Sequence, residues 1–74
     1  MLENVIDILT EFTELEKDKM SRQSNLVIDL GLNSLDVISV VVAFEDAFHI
    51  EIPDQKIKDL VTIGDIVEYL ETHV

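Results

Sequence analysis

The chain of 74 residues contains no cysteine. That excludes a disulfide framework, a thiolate metal site and a cysteine nucleophile, so the fold must rest on packing alone. Cations are scarce as well: five Lys and Arg stand against 16 Asp and Glu, for a formal charge of −11. Such a field repels nucleic acid and anionic membrane surfaces and attracts basic protein patches. No apolar run approaches the roughly 18 residues of a membrane span, because Val37 to Phe48 is interrupted by Ser39, Glu45 and Asp46. The N-terminus lacks a basic region followed by an apolar core, so no signal peptide is expected and the expected location is the cytoplasm. With two glycines and two histidines, there is no phosphate-binding glycine loop and no spaced cluster of metal ligands.

What is present suits a small globular unit. A hydrophobic content of 47% argues against disorder despite the charge. The length predicts one domain over 1–74, near the lower limit for a self-supporting core. The cations are unevenly placed: Lys17, Lys19 and Arg22 form one group and Lys56 and Lys58 a second, leaving Asp29 to Ile52 without any. That negative zone favours a docking surface for positively charged partners.

Along the chain, Leu2, Val5, Ile6, Leu9 and Phe12 recur at three and four positions, with Glu3, Asp7, Glu11 and Glu14 on the other face. This predicts an amphipathic helix over about 2–15. Residues 16–33 have no period, and a connection that long is often functional. Leu26, Ile28, Leu30 and Leu32 would anchor it by packing on the helices; their alternation also fits a short strand, but no partner strand is evident. In 34–48, the β-branched Val37, Ile38, Val40, Val41 and Val42 suit a strand. The spacing of Leu35, Ile38, Val41, Phe44 and Phe48, and a possible cap pairing Asn33 with Asp36, favour a helix. Pro53 suits the entry to a short helical turn over 54–60. Thr62 with Asp65 is a second capping signal, and Ile63, Ile66, Val67 and Leu70 predict a last helix to about residue 72. The expected fold is all-α, a four-helix bundle of three main helices and one short one, with a long first loop.

The residue that draws attention is Ser34, between a glycine-containing bend and a predicted helix start, where unpaired N–H groups and the helix dipole favour an anion. The plain reading is a helix-capping serine. A calcium loop beginning at Asp29 fails, because Ser34 stands at its glycine position and Val40 at its glutamate position. A serine hydrolase needs an acid and a histidine. His49 lies about four helical turns away, on the order of 20 Å. Both His49 and His73 read as solvated surface residues. No catalytic residue and no metal site is expected.

The octet Asp29-Leu30-Gly31-Leu32-Asn33-Ser34-Leu35-Asp36 resembles the phosphopantetheine attachment motif of acyl carrier proteins. The similarity continues through Ala43 to Phe48, Ile50 to Asp54, Thr62 to Asp65, and Tyr69-Leu70. The resemblance implies a carrier without enzymatic activity, holding acyl intermediates as thioesters on a covalent 4'-phosphopantetheine arm for fatty-acid or specialised acyl and polyketide synthesis. It implies attachment at Ser34, with Asp29, Gly31, Asn33 and Leu35 around the arm. A partner-contacting face would comprise Leu35, Asp36, Val42, Ala43, Glu45 and Asp46. The implied partners are a phosphopantetheinyl transferase and synthases and acyltransferases with basic patches, served by a monomer. Val37, Val40 and Val41 would line a cleft for an acyl tail, and Gly31 would let the backbone bend beside the serine. Asn33 and Ser39 stand where the family usually has acids, and Val42 where Met is common, which bears on partner choice more than on attachment. With the chain starting at Met1 and no linker at either end, a freestanding carrier is expected. The other readings are an aminoacyl or peptidyl carrier and an acidic helical adaptor that carries nothing.

Overall fold

A computed structural model describes all residues from Met1 to Val74. Four α-helices follow in order: α1 (Leu2–Leu9), α2 (Ser34–Phe48), α3 (Asp54–Ile57) and α4 (Ile63–His73). One turn of 3₁₀ helix, Lys17–Lys19, lies in the long first connection. The architecture is thus the expected all-α arrangement of three main helices and one minor one. Seventeen buried side chains form one core, in which Phe44 of α2, Leu9 and Val5 of α1, and Ile63, Ile66, Val67 and Leu70 of α4 meet. Helix α1 packs against both α2 and α4.

The first helix is shorter than its 2–15 periodicity predicts. After Leu9 the bonding tightens to i→i−3, with Glu11 N–H donating to Ile8 O and Phe12 N–H to Leu9 O. The threonines then leave the helical pattern: Thr10 Oγ1 donates to Asp7 O, and Thr13 Oγ1 donates across the fold to Leu30 O at 2.7 Å. Hydroxyls that bond the backbone locally compete with helix continuation. Phe12 and Leu15 still pack on the core from the irregular segment.

The long connection is a packed loop, but not with the expected alternation. Leu26, Leu30 and Leu32 are buried, whereas Ile28 is 80% exposed. The cause is a tight turn organised by Asn25. Its Oδ1 accepts the N–H groups of Val27 and Ile28, and its carbonyl accepts those of Asp29 and Leu30. This coil rotates Ile28 outward. A strand-like contact does occur: Asn25 forms an antiparallel bridge with Thr62, and Leu26 N–H donates to Val61 O while Ile63 N–H donates to Ser24 O. The partner segment lies far along the chain, beyond α2 and α3.

Helix α2 forms despite its β-branched content because its start is fixed and one face is buried. Asn33 Oδ1 accepts Asp36 N–H at 2.8 Å, and Asp36 Oδ2 accepts Asn33 N–H at 3.2 Å, a reciprocal capping box. The buried face is Val40, Val41 and Phe44, flanked by half-buried Val37 and Phe48. Of the apolar residues whose spacing predicted the helix, Leu35 and Ile38 are exposed. A helix apolar nearly all round does not say from sequence which stripe faces inward. At its other end His49 caps the helix in the left-handed conformation, φ 56°, with its N–H on Glu45 O. Helix α3 is a single turn rather than the 54–60 segment predicted. Helix α4 begins at the second predicted box, with Thr62 and Asp65 bonding each other's backbone N–H groups.

Candidate functional site

The reciprocal box at the head of α2 gives the capping role to Asn33, which overturns the plain reading of Ser34 as a cap. Ser34 is the first helical residue, it is exposed, and its hydroxyl takes no part in the cap. The box satisfies Asp36 N–H, and Val37 N–H donates to Asn33 O. The Ser34 and Leu35 N–H groups are left without partners in the chain. A helix of 15 residues presents its positive end there, so an anion attached to Ser34 Oγ gains about 0.3–1 kcal/mol.

The chain reaches Ser34 through a bend that requires Gly31. Its φ of +74° lies in the left-handed region, and nothing lies within 4 Å of where a Cβ would project. Gly31 is therefore needed for its dihedral, which makes the bend expected from the sequence, and not because a neighbour crowds it. Asp29 Oδ2 accepts Asn25 N–H at 2.7 Å, so this carboxylate holds the turn that precedes the bend.

Beside Ser34 lies an open groove of about 560 Å³ between the first half of α2, helix α3 and the Asn25 turn. Val37 and Ile38 form one wall, Ile57 and Leu60 another, and Leu26, Val27 and Val61 complete the apolar lining. Val40 and Val41, expected in such a cleft, are buried in the core and face away from it. Periodicity and motif do not mark Val27, Ile57, Lys58 and Val61 as site residues. Val27 and the stretch from Ile57 to Val61 are far apart in the chain and are brought together by the pairing of residues 22–26 with 61–64. The one signal in the sequence was that Val27, Ile57 and Val61 are apolar residues lying off the core periodicity.

The remaining predicted residues lie along α2. Leu35 and Val42 are exposed, Ala43 is half-buried, and Asp46 is exposed. Glu45 has a structural role, since its Oε2 accepts Ile52 N–H at 2.8 Å and ties the loop after α2 to the helix. His49 and His73 are both exposed. His73 stacks on Tyr69, with ring centroids 4.0 Å apart. No group of three His, Cys, Asp or Glu side chains is arranged to hold a metal, and no helix is long and apolar enough to cross a membrane.

A family model described as "Phosphopantetheine attachment site" matches residues 3–70. The acyl carrier protein of Wolinella succinogenes is 36% identical over 73 residues, which cover 99% of this chain and 96% of that protein. The solved structure of the acyl carrier protein from Enterococcus faecalis superposes with a TM-score of 0.86 at 30% identity, covering 99% of this chain and 92% of that one. An exposed serine at a helix head, beside an apolar groove, is what such a match leads one to look for, and on these grounds the chain belongs to the acyl carrier protein family.

Proposed function

We propose that Ser34 is the attachment point of the 4'-phosphopantetheine arm and that the cargo is an acyl group with an apolar tail. Members of this family are carriers and not enzymes, and they work with phosphopantetheinyl transferases and synthases. The observation that carries the proposal is the placement of Ser34: exposed, outside the capping box, and on the rim of the apolar groove. The residues present fit the group. Two free N–H groups and the dipole of α2 suit its phosphodiester, and the hydroxyl is unencumbered. When bound, the arm supplies a thiol on which acyl groups are held as thioesters.

The chain's own residues position and shelter. Asn33 and Asp36 fix the helix head, Gly31 and Asp29 shape the approach to it, and Val37, Ile38, Ile57 and Val61 offer an apolar wall. Burying six methylenes there yields at most about 5 kcal/mol. The groove stands open between packed elements, so little of that gain is spent on making room. Such a lining favours fatty-acid or other aliphatic acyl cargo over aminoacyl cargo, whose ammonium group would lose hydration in it. Leu35, Asp36, Val42, Ala43, Glu45 and Asp46 are the proposed face for synthases and acyltransferases with basic patches, with Leu35, Val42 and Asp46 its exposed members, and the carrier acts as a monomer.

Incubation with coenzyme A and a broad-specificity phosphopantetheinyl transferase tests the attachment, read by intact mass. One arm per chain is expected, and none on the Ser34→Ala variant. An arm gained by that variant, or never gained by the wild type, would overturn the proposal.

A further inference from the structure

The groove beside Ser34 is not wholly apolar: Asn25, Asp54 and Lys58 share its lining with the serine. Asn25 Oδ1 is already taken by the N–H groups of Val27 and Ile28. Lys58, exposed where α3 ends, is the one cation of the lining, and Asp54 is its one anion. No ion pair joins the two; the chain's one ion pair is between Lys17 and Asp7. The other cations stand outside the groove. Lys56 lies over the Tyr69 ring, 5.8 Å from its centroid, and Lys17, Lys19 and Arg22 belong to the first connection. Around Ser34 in sequence, residues 29–52 carry Asp29, Asp36, Glu45, Asp46 and Glu51 and no Lys or Arg. Folding therefore brings a single cation to the groove of the attachment serine, from a segment beyond α2.

We infer that Lys58 is a positioning residue for the arm: its ammonium pairs with the phosphodiester on Ser34 and draws the root of the arm across the groove toward α3. The inference rests on Ser34 as the attachment point. A phosphodiester carries a fixed negative charge near neutral pH, and here it joins a chain of net charge −11 next to a stretch without cations. The free N–H groups and the dipole at the head of α2 answer part of that charge. A full positive charge is available only from Lys58. Lysine suits this task, because its ammonium is a point charge on a flexible stem and follows a phosphate oxygen without a fixed geometry. In the armed protein the ammonium stands between two anions, the phosphodiester on α2 and the Asp54 carboxylate on its own segment. Such a charge-assisted bond ties α3 to the head of α2. It also turns the arm's root toward Ile57 and Val61, on the wall of the groove that α2 does not supply. Without the arm, Lys58 is an ordinary solvated lysine, so the pairing exists only after loading.

Comparing each protein with and without its arm gives the test. Wild type, Lys58→Gln, Lys58→Arg and Lys56→Gln are prepared apo and fully armed, with completeness checked by intact mass, so that loading rate does not enter. Each variant is measured against its own apo form, so a general effect of the substitution on stability cancels. At low salt the change in Tm on arming should be about 2–4 °C less favourable in Lys58→Gln than in the wild type, as for an exposed ion pair in a domain this small. That difference should fade at about 0.5 M salt. Lys58→Arg should behave as the wild type. Lys56→Gln removes the same charge from the same segment but outside the groove, and it should leave the change on arming as it was. The phosphorus NMR resonance of the arm gives a second reading: it should shift in Lys58→Gln and stay in place in Lys56→Gln. The inference is overturned if Lys58→Gln matches the wild type, if Lys56→Gln loses as much, if Lys58→Arg fails to rescue, or if the phosphorus resonance ignores Lys58. A wild type that never receives the arm would instead overturn the assignment of Ser34 itself.

Discussion

Gly64 and Gly31 are both required, for unlike reasons that alanine and asparagine replacements can separate. A Cβ on Gly64 would lie 2.9 Å from Arg22 O and 3.3 Å from Arg22 Cβ, while the Gly64 N–H donates to that same oxygen at 2.8 Å. Room for the methyl group comes only by pushing residues 22–26 off residues 61–64. That loosens the bonds from Gly64 to Arg22, from Ile63 to Ser24 and from Leu26 to Val61. Overpacking of this kind costs about 1–3 kcal/mol, and each lost bond about 0.5–1.5. Alanine's helix propensity returns at most about 1 kcal/mol, and less in a first turn. The net loss for Gly64→Ala is about 1–2 kcal/mol, or roughly 5–15 °C in Tm for a domain of this size. At Gly31 space is open and only the dihedral opposes a side chain, so Gly31→Ala costs about 1–2 kcal/mol. Asparagine tolerates the left-handed region, so Gly31→Asn should recover part of that loss, and Gly64→Asn none. Thermal and urea unfolding followed by circular dichroism measure all four variants. Gly64→Ala melting at or above the wild type would refute the packing argument, and Gly31→Asn no better than Gly31→Ala would refute the dihedral one.

Asn33→Ala removes the cap of α2 and should cost about 0.5–2 kcal/mol in urea unfolding, with faster amide exchange at Asp36 and Val37, close to Ser34. The Thr62 backbone N–H, followed by bonds from Val61 and the Thr62 hydroxyl and by the charge of Lys56, lowers the Asp65 carboxyl below its ordinary value of 3.8, against an opposing effect of burial. Because the unfolded chain takes up this proton first, the contribution is complete above about pH 4 and is lost as pH falls through the lowered folded value. Asp65→Asn should therefore flatten the loss of Tm between about pH 4 and 2, while an unchanged acid limb would remove Asp65 from the account. Residues 29–52 carry no Lys or Arg, so added salt or magnesium should raise the melting temperature by screening self-repulsion, and a flat response across ionic strength would count against it.

Sequence alone determined the elements that rest on local rules. The two capping boxes were written in Asn33 with Asp36 and Thr62 with Asp65, the amphipathic faces of α1 and α4 in their spacing, and the family in the octet ending at Asp36, which singled out Ser34 as the candidate. These depend on residues three or four apart, which a one-dimensional pattern records. Tertiary structure decided what depends on residues far apart. Thr13 ends α1 early because Leu30 O takes its hydroxyl. Ile28 points outward because Asn25 coils the loop. Gly64 is needed because Arg22 O lies against it. The inward face of α2 was ambiguous because the helix is apolar on nearly every side. Packing against α1 and the shared core chose Val40, Val41 and Phe44 for the inside, leaving Leu35, Ile38 and Val42 exposed. The groove has the same origin, since its walls come from three segments that only the folded chain brings together.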